Sequence, residues 1–149
     1  MEPIFEIISL KQEKKESDLI GAFEQVVDAE ALANVVKYYI QNEDREVFLV
    51  IIYNNKLRIT AIHRCSIGAL NAAIVTPREV FKAAILNNAA AIAVAHNHPS
   101  SDPTASKEDI EVTKRLHQAG DILGIELLDH IIVAAHTDRY VSLRENGII

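Results

Sequence analysis

Cysteine is almost missing from this chain: Cys65 stands alone among 149 residues. That excludes an internal disulfide and any zinc site built on thiolates, and it suggests a reducing, cytoplasmic setting. Basic charge is also short, with 15 Lys and Arg against 21 Asp and Glu and a net charge of -6. A general nucleic-acid binder carries a basic face, so the balance argues against that class. No apolar run approaches the length of a membrane span. The N-terminal run around Ile4-Phe5-Glu6-Ile7-Ile8 is too short and too acidic for a signal core. Internal repeats are absent, and the only biased segment is Lys11 to Lys15. What remains is an ordinary globular composition, 49% hydrophobic and 24% charged, at a length that reads as one domain with a real core.

The stretch from Ala95 to Asp109 carries the chemistry. His96 and His98 end an apolar run, Ala89 to Ala95, that reads as a buried strand. In an extended chain residues i and i+2 point to the same side, so both imidazoles can aim at one point while Asn97 faces away. After a loop with two prolines, Asp109 falls in the first turn of a helix. Two neutral imidazoles and one carboxylate, with a fourth position open to water, form the ligand set of a catalytic zinc site. The same residues admit a plainer reading. His-x-His spacing alone is a weak metal signal, and Ser106-x-x-Asp109 is also a capping-box helix start. The two readings are compatible, because a helix N-terminus favours the ionised carboxylate that a cation needs.

Taken in order, Ile4 to Leu10 reads as a short strand, Lys11 to Ser17 as a charged connector, and Leu19 to Val27 as ambiguous. Asp28 can cap a helix ending near Gln41, with Leu32, Val35, Val36, Tyr39 and Ile40 inward. Val47 to Tyr53 is a continuous β-branched and aromatic run, hence a central strand buried on both faces. Asn54-Asn55 predicts a two-residue hairpin into a return strand over Lys56 to His63, with Leu57, Ile59 and Ala61 on one face. Cys65 to Asn71 is loop-like, and Ala72 to Val75 reads as a short strand. Thr76, Pro77 and Glu79 supply an N-cap, an N1 proline and a capping box for a helix that stops near Asn87, with Val80, Phe81, Ala84 and Ile85 inward. The strand–helix–strand order around it allows a parallel crossover. Ser106 opens the next helix, whose inner stripe is Ile110, Thr113, Leu116, His117, Gly120 and Leu123. Gly124 stops it. Strands Ile125 to Ala134 and Tyr140 to Leu143 follow, joined by a polar turn at His136-Thr137-Asp138. The sum is an α/β fold with a mixed sheet flanked by helices and the site at strand ends.

A metal-activated water needs a base. Glu46, directly before the central strand, is the best-placed acid, with Glu43 and Asp44 behind it. His63, His117, His130 and His136 read as structural or surface residues; His130, beside Asp129, is the one to watch as a partner of a ligand.

The pattern Glu46 … His96-x-His98 … Ser106-x-x-Asp109 resembles the JAMM (also MPN+ or JAB) metalloprotease motif. The wording of Glu46-Val47-Phe48, Thr76-Pro77-Arg78-Glu79-Val80, His96-Asn97-His98-Pro99-Ser100, Leu128-Asp129-His130-Ile131 and Arg139-Tyr140-Val141-Ser142-Leu143 is similar to the RadC family of bacterial JAMM-like proteins, from roughly Ala29 onward. The resemblance implies a three-layer JAMM fold related to the cytidine-deaminase type. It implies Zn²⁺ on His96, His98 and Asp109, with Glu46 as general acid/base. It also implies that the Ser106 hydroxyl steadies an oxyanion, beside its capping role. RadC proteins usually carry a helical N-terminal region that this length does not hold, so the expectation is a stand-alone domain over 1–149, with 1–28 an extension of unassigned role. Ser101 and Ala105 stand where the family often has Gly and Pro.

Adjacent His96-Asn97-His98 is not the HNH nuclease motif, whose letters are spread along the chain. A zinc deaminase needs Pro-Cys-x-x-Cys, which one cysteine cannot supply. Three functions are weighed: a zinc hydrolase of peptide or isopeptide bonds in a peptide or protein substrate; a metal-dependent nuclease or DNA-repair factor; and a non-catalytic partner-binding scaffold. The net charge disfavours the second, and the filled ligand positions disfavour the third. Oligomeric state and substrate identity are not readable.

Overall fold

The computed structural model describes residues 11–13, 25–67 and 75–149. Its elements are α1 (Ala29–Ile40), β1 (Val47–Tyr53), β2 (Ile59–Ile67), α2 (Pro77–Leu86), β3 (Ala91–His98), α3 (Lys107–Leu123), β4 (Glu126–Ala134) and β5 (Tyr140–Ser142). The sheet has five strands in the order β2-β1-β3-β4-β5. Among the described strands only β3 and β4 pair in parallel; β1–β2, β1–β3 and β4–β5 are antiparallel. This is the mixed, helix-flanked sheet that the sequence predicts.

Period-2 alternation sorts the strand residues between two apolar layers. Leu49, Ile51 and Tyr53 of β1, with Ala93 and Ala95 of β3, pack under α1. Phe48, Val50 and Ile52, with Ile92 and Val94, pack under α2 and α3. Both faces of β1 are therefore covered, which is why all of its residues are buried and why it reads as an unbroken apolar run. The alanines of β3 leave room for α1 to lie close to the sheet.

Local chemistry sets the helix ends. The Asp28 carboxylate accepts from the Ala31 amide at 2.9 Å and starts α1. Ser106 and Asp109 exchange a full capping box at the start of α3, and Gly124, at φ 71°, ends that helix in the left-handed region that glycine enters without strain. The capping box expected for α2 does not form. The Glu79 amide bonds the Thr76 carbonyl at 3.1 Å, so the backbone itself takes the donor that the hydroxyl would have capped. The Thr76 hydroxyl is left buried with no partner among the described residues, and the Glu79 side chain turns to Lys82.

Other boundaries shift too. The β1–β2 connection is not a two-residue turn but a loop over residues 54–58, because Asn54 is followed by no glycine to adopt the primed turn. Asn54 instead organises it, its side-chain oxygen accepting from the Lys56 and Arg58 amides at 3.0 Å each. Leu57 sits in that loop, at φ 55°, and not on the inner face. The return strand starts later and runs to Ile67, so Cys65 to Ile67 are strand. Ile4 to Leu10, most of Leu19 to Val27, Gly68 to Asn71 and Ala72 to Ile74 lie outside the described residues. A parallel crossover runs through α3, from β3 to its neighbour β4. β2 and β3, each antiparallel to the β1 between them, are parallel as well, so α2 also stands between two parallel strands of the sheet. Ile85 and Leu123 are exposed. The buried stripe of α3 is Asp109, Val112, Thr113, Leu116 and Gly120, rotated from the predicted one so that Val112 faces in. Among the described residues no helix is long and apolar enough to cross a membrane.

Candidate metal centre

β3 carries both histidines within the strand itself: His96 is buried at 1% exposure, and His98 is its last residue. The loop after it returns the chain so that the first turn of α3 faces the strand end. Asp102 stiffens that loop, its carboxylate accepting from the amide and hydroxyl of Thr104 at 2.9 and 2.6 Å. Its carbonyl lies 3.0 Å from His98 Nδ1, so Nδ1–H is held there and Nε2 is turned inward. The result is a convergence of His96, His98 and Asp109, the one group of metal-ligand type found among the described residues.

The spacing of the three donors fits a small cation. His96 Nε2 and His98 Nε2 are 3.1 Å apart, His96 Nε2 and Asp109 Oδ1 are 3.2 Å apart, and His98 Nε2 and Asp109 Oδ2 are 3.3 Å apart. Bonds of 2.0–2.1 Å in a tetrahedron place ligand atoms about 3.3 Å from one another. The capping box engages one carboxylate oxygen, with the Ser106 amide donating to Oδ2 at 2.8 Å, while Oδ1 faces His96.

Charge is matched to the same task. Burial opposes ionisation of Asp109, but the two imidazoles beside it, the field of His96 and the Ser106 amide outweigh it and hold the carboxyl well below its usual range. Its hydrogen bond to Asp109 raises the His98 imidazole, against the effect of burial, with Glu46 adding to the rise from farther off. The group is thus a fixed anion between two imidazoles, ready to receive positive charge.

Glu46 reaches this place through sheet register. Phe48 of β1 lies opposite His96 and its ring stacks on that imidazole at 6.2 Å. Two residues back along one strand and two forward along the other, Glu46 comes opposite His98 and on the same face. Together with Ser100, Ser106, Glu108 and Asp109, they line an open cleft of about 380 Å³. Glu43 and Asp44 are not among its lining residues; Glu43 pairs with Arg64 at 2.9 Å. The Ser106 hydroxyl accepts from the Asp109 amide at 3.1 Å, a bond that leaves its own proton free to donate into the cleft.

Two further residues take part, one whose role was not read from the sequence and one only flagged by it. Asn97 does face away, as expected, but it has work there. Its side-chain oxygen accepts from the Val47 amide at 2.7 Å, and its NH₂ donates to the Arg45 carbonyl at 2.9 Å. The residue between the two histidines therefore ties down the segment that carries Glu46. The second is His130, read as structural but singled out, beside Asp129, as the one to watch as a partner of a ligand. It lies behind His96, Nε2 to Nδ1 at 2.8 Å, and its own Nδ1 is 2.6 Å from the Thr113 hydroxyl. Asp129 turns to the other face of β4, accepting from the Ser142 hydroxyl at 2.7 Å. Alternation of β4 could have signalled that split. His63 and His136 are exposed and His117 is half-buried, all outside the centre.

A family model described as RadC-like JAB domain matches residues 26–148. The chain is similar to a UPF0758 protein of Caldanaerobacter subterraneus subsp. tengcongensis, 50% identical over 122 residues that make up 82% of this chain and 52% of the relative. A UPF0758 protein of Desulfitobacterium hafniense is 48% identical over 79% of this chain and 51% of its own length. One of Geobacillus sp. is 54% identical over 70% and 46%. The chain thus spans about half the length of these curated relatives.

Proposed function

The chain belongs to the RadC-like JAB domain family, and from that premise we propose that it is a zinc-dependent hydrolase of the JAMM type, acting on peptide or isopeptide bonds. The observation that carries the proposal is the meeting of His96, His98 and Asp109 in a cleft that Glu46 also lines. Two imidazoles and one carboxylate with an open side are the donor set of catalytic zinc. Such an ion, when bound, polarises a scissile carbonyl and lowers the pKa of water to about 7.

The chain's own residues supply the rest. The Glu46 carboxylate, across the strand pair from His98, takes the proton of the attacking water and returns it to the leaving amine. The Ser106 hydroxyl donates to the oxygen that gains charge as the carbonyl becomes tetrahedral. Asn97 holds the backbone on either side of Glu46, so that the carboxylate keeps its place between proton transfers. The cleft is open enough to admit a polypeptide segment, and a peptide or protein is the substrate class. The lone thiol fits a cytoplasmic setting.

The test is elemental analysis of the purified chain, followed by parallel assays on peptide, isopeptide and single-stranded DNA substrates. The expected result is one zinc per chain and peptide-bond cleavage that falls about 10²–10⁴-fold in Glu46→Gln with zinc retained. Unchanged turnover in that variant moves the base elsewhere. Cleavage of DNA alone overturns the substrate class, and absence of bound metal leaves the partner-binding scaffold as the reading.

A further inference from the structure

The Thr113 hydroxyl has one proton and two close neighbours. It donates to the Asp109 carbonyl at 2.6 Å, and it lies 2.6 Å from His130 Nδ1. With its proton committed to the carbonyl, the hydroxyl can only accept from the ring, which places a proton on His130 Nδ1. A neutral His130 then presents a bare Nε2, which lies 2.8 Å from His96 Nδ1. His96 must fill that contact with its own Nδ1–H. Were the protons arranged the other way, with His130 Nε2–H donating to a bare His96 Nδ1, the proton of a neutral His96 would sit on Nε2, where a ligand needs its lone pair.

We propose that Thr113 and His130 are positioning residues that lock the proton of His96 on Nδ1 and so reserve His96 Nε2 for a metal ion. Histidine ligands commonly donate their second N–H to a carboxylate, a carbonyl or water. Here the acceptor is another imidazole, oriented in turn by a threonine. His96, His130 and Thr113 are all nearly inaccessible to solvent, at 1%, 1% and 0% exposure, so water is not at hand to substitute for a missing partner. The relay ends on the backbone of Asp109, whose carboxylate faces His96 Nε2 at 3.2 Å. The two ligands are therefore joined twice, once across the centre and once through the protein behind it.

The inference rests on reading the centre as a metal site, and its decisive measurement does not need the metal. Long-range proton–nitrogen spectra of histidine-labelled chain, metal-free and zinc-loaded, locate each ring proton. The expected result is a proton on His96 Nδ1 in both states, with His130 neutral and protonated on Nδ1. A bare His96 Nδ1, or a proton on His130 Nε2, overturns the proposal. Failure to take up zinc defeats the metal reading, while the metal-free spectrum still decides the relay. Thr113→Val removes the acceptor for His130 Nδ1–H. It is expected to move the His130 proton to Nε2 and to weaken zinc binding about 10–100-fold in chelator competition, and Thr113→Ser is expected to restore both. Wild-type affinity in Thr113→Val, or failure of Thr113→Ser to restore it, overturns the role of the hydroxyl.

Discussion

Asn97 faces the α1 side of the sheet and reaches residues about fifty positions earlier in the chain. Replacing it with alanine strips the buried Val47 amide of its acceptor, which costs about 1–3 kcal/mol. Chemical denaturation should show that loss. Zinc content should stay at the wild-type level, because the ligands lie on the other face, while turnover falls as Glu46 loses its anchor. At this scale the meeting of His96, His98 and Asp109 was legible and His130 was flagged beside it, but the anchoring by Asn97 was not. His-x-His and the start of α3 are short-range patterns with a chemical meaning of their own. The partners of Asn97 and His130 are set by which strands become neighbours, and no spacing within a single segment records that.

α3 does two tasks along one stripe: Asp109 serves the centre at its first turn, and Gly120 near its last turn lies against the end of β4's approach. A Cβ built at Gly120 would stand 2.4 Å from the Ile125 carbonyl oxygen, which is backbone and has no free rotation with which to yield. Gly120→Ala should therefore destabilise the fold by about 1–3 kcal/mol despite alanine's better helix propensity, read as a lower denaturation midpoint at unchanged slope. The helices were the easiest elements to read, since caps and apolar spacing agree along them. Errors came where two local rules competed. Thr76 has every letter of a capping box, yet the backbone turn satisfied the donor first. Asn54-Asn55 has the length of a tight turn without the glycine that one needs. The stripe of α3 was misjudged at Leu123, which is exposed, and at Val112, which is buried.

For the whole molecule, a metal at this centre would clamp the end of β3 to the start of α3. Ligand that binds only the folded chain stabilises it by about 2.7 kcal/mol at a free concentration one hundred times its dissociation constant. For a chain of this size that is a rise of roughly 5–10 °C in Tm. Addition of zinc to metal-free protein should produce that rise and chelation should reverse it. His98→Ala should fold, hold no stoichiometric zinc and show no such shift; a shift of wild-type size in that variant would remove His98 from the ligand set. The mixed sheet and its helical cover were legible from alternating runs and helix periodicity, and the strand order was not, because it depends on which connection crosses the sheet. β3 adds a constraint of its own. Its even positions 96 and 98 serve the cleft, and its odd position 97 serves the opposite layer. Inserting or deleting one residue just upstream of His96 would exchange the two sides, sending the amide into the cleft and the imidazoles under α1. Changes of length at that point are thus tolerable only in pairs, as in a code read two letters at a time.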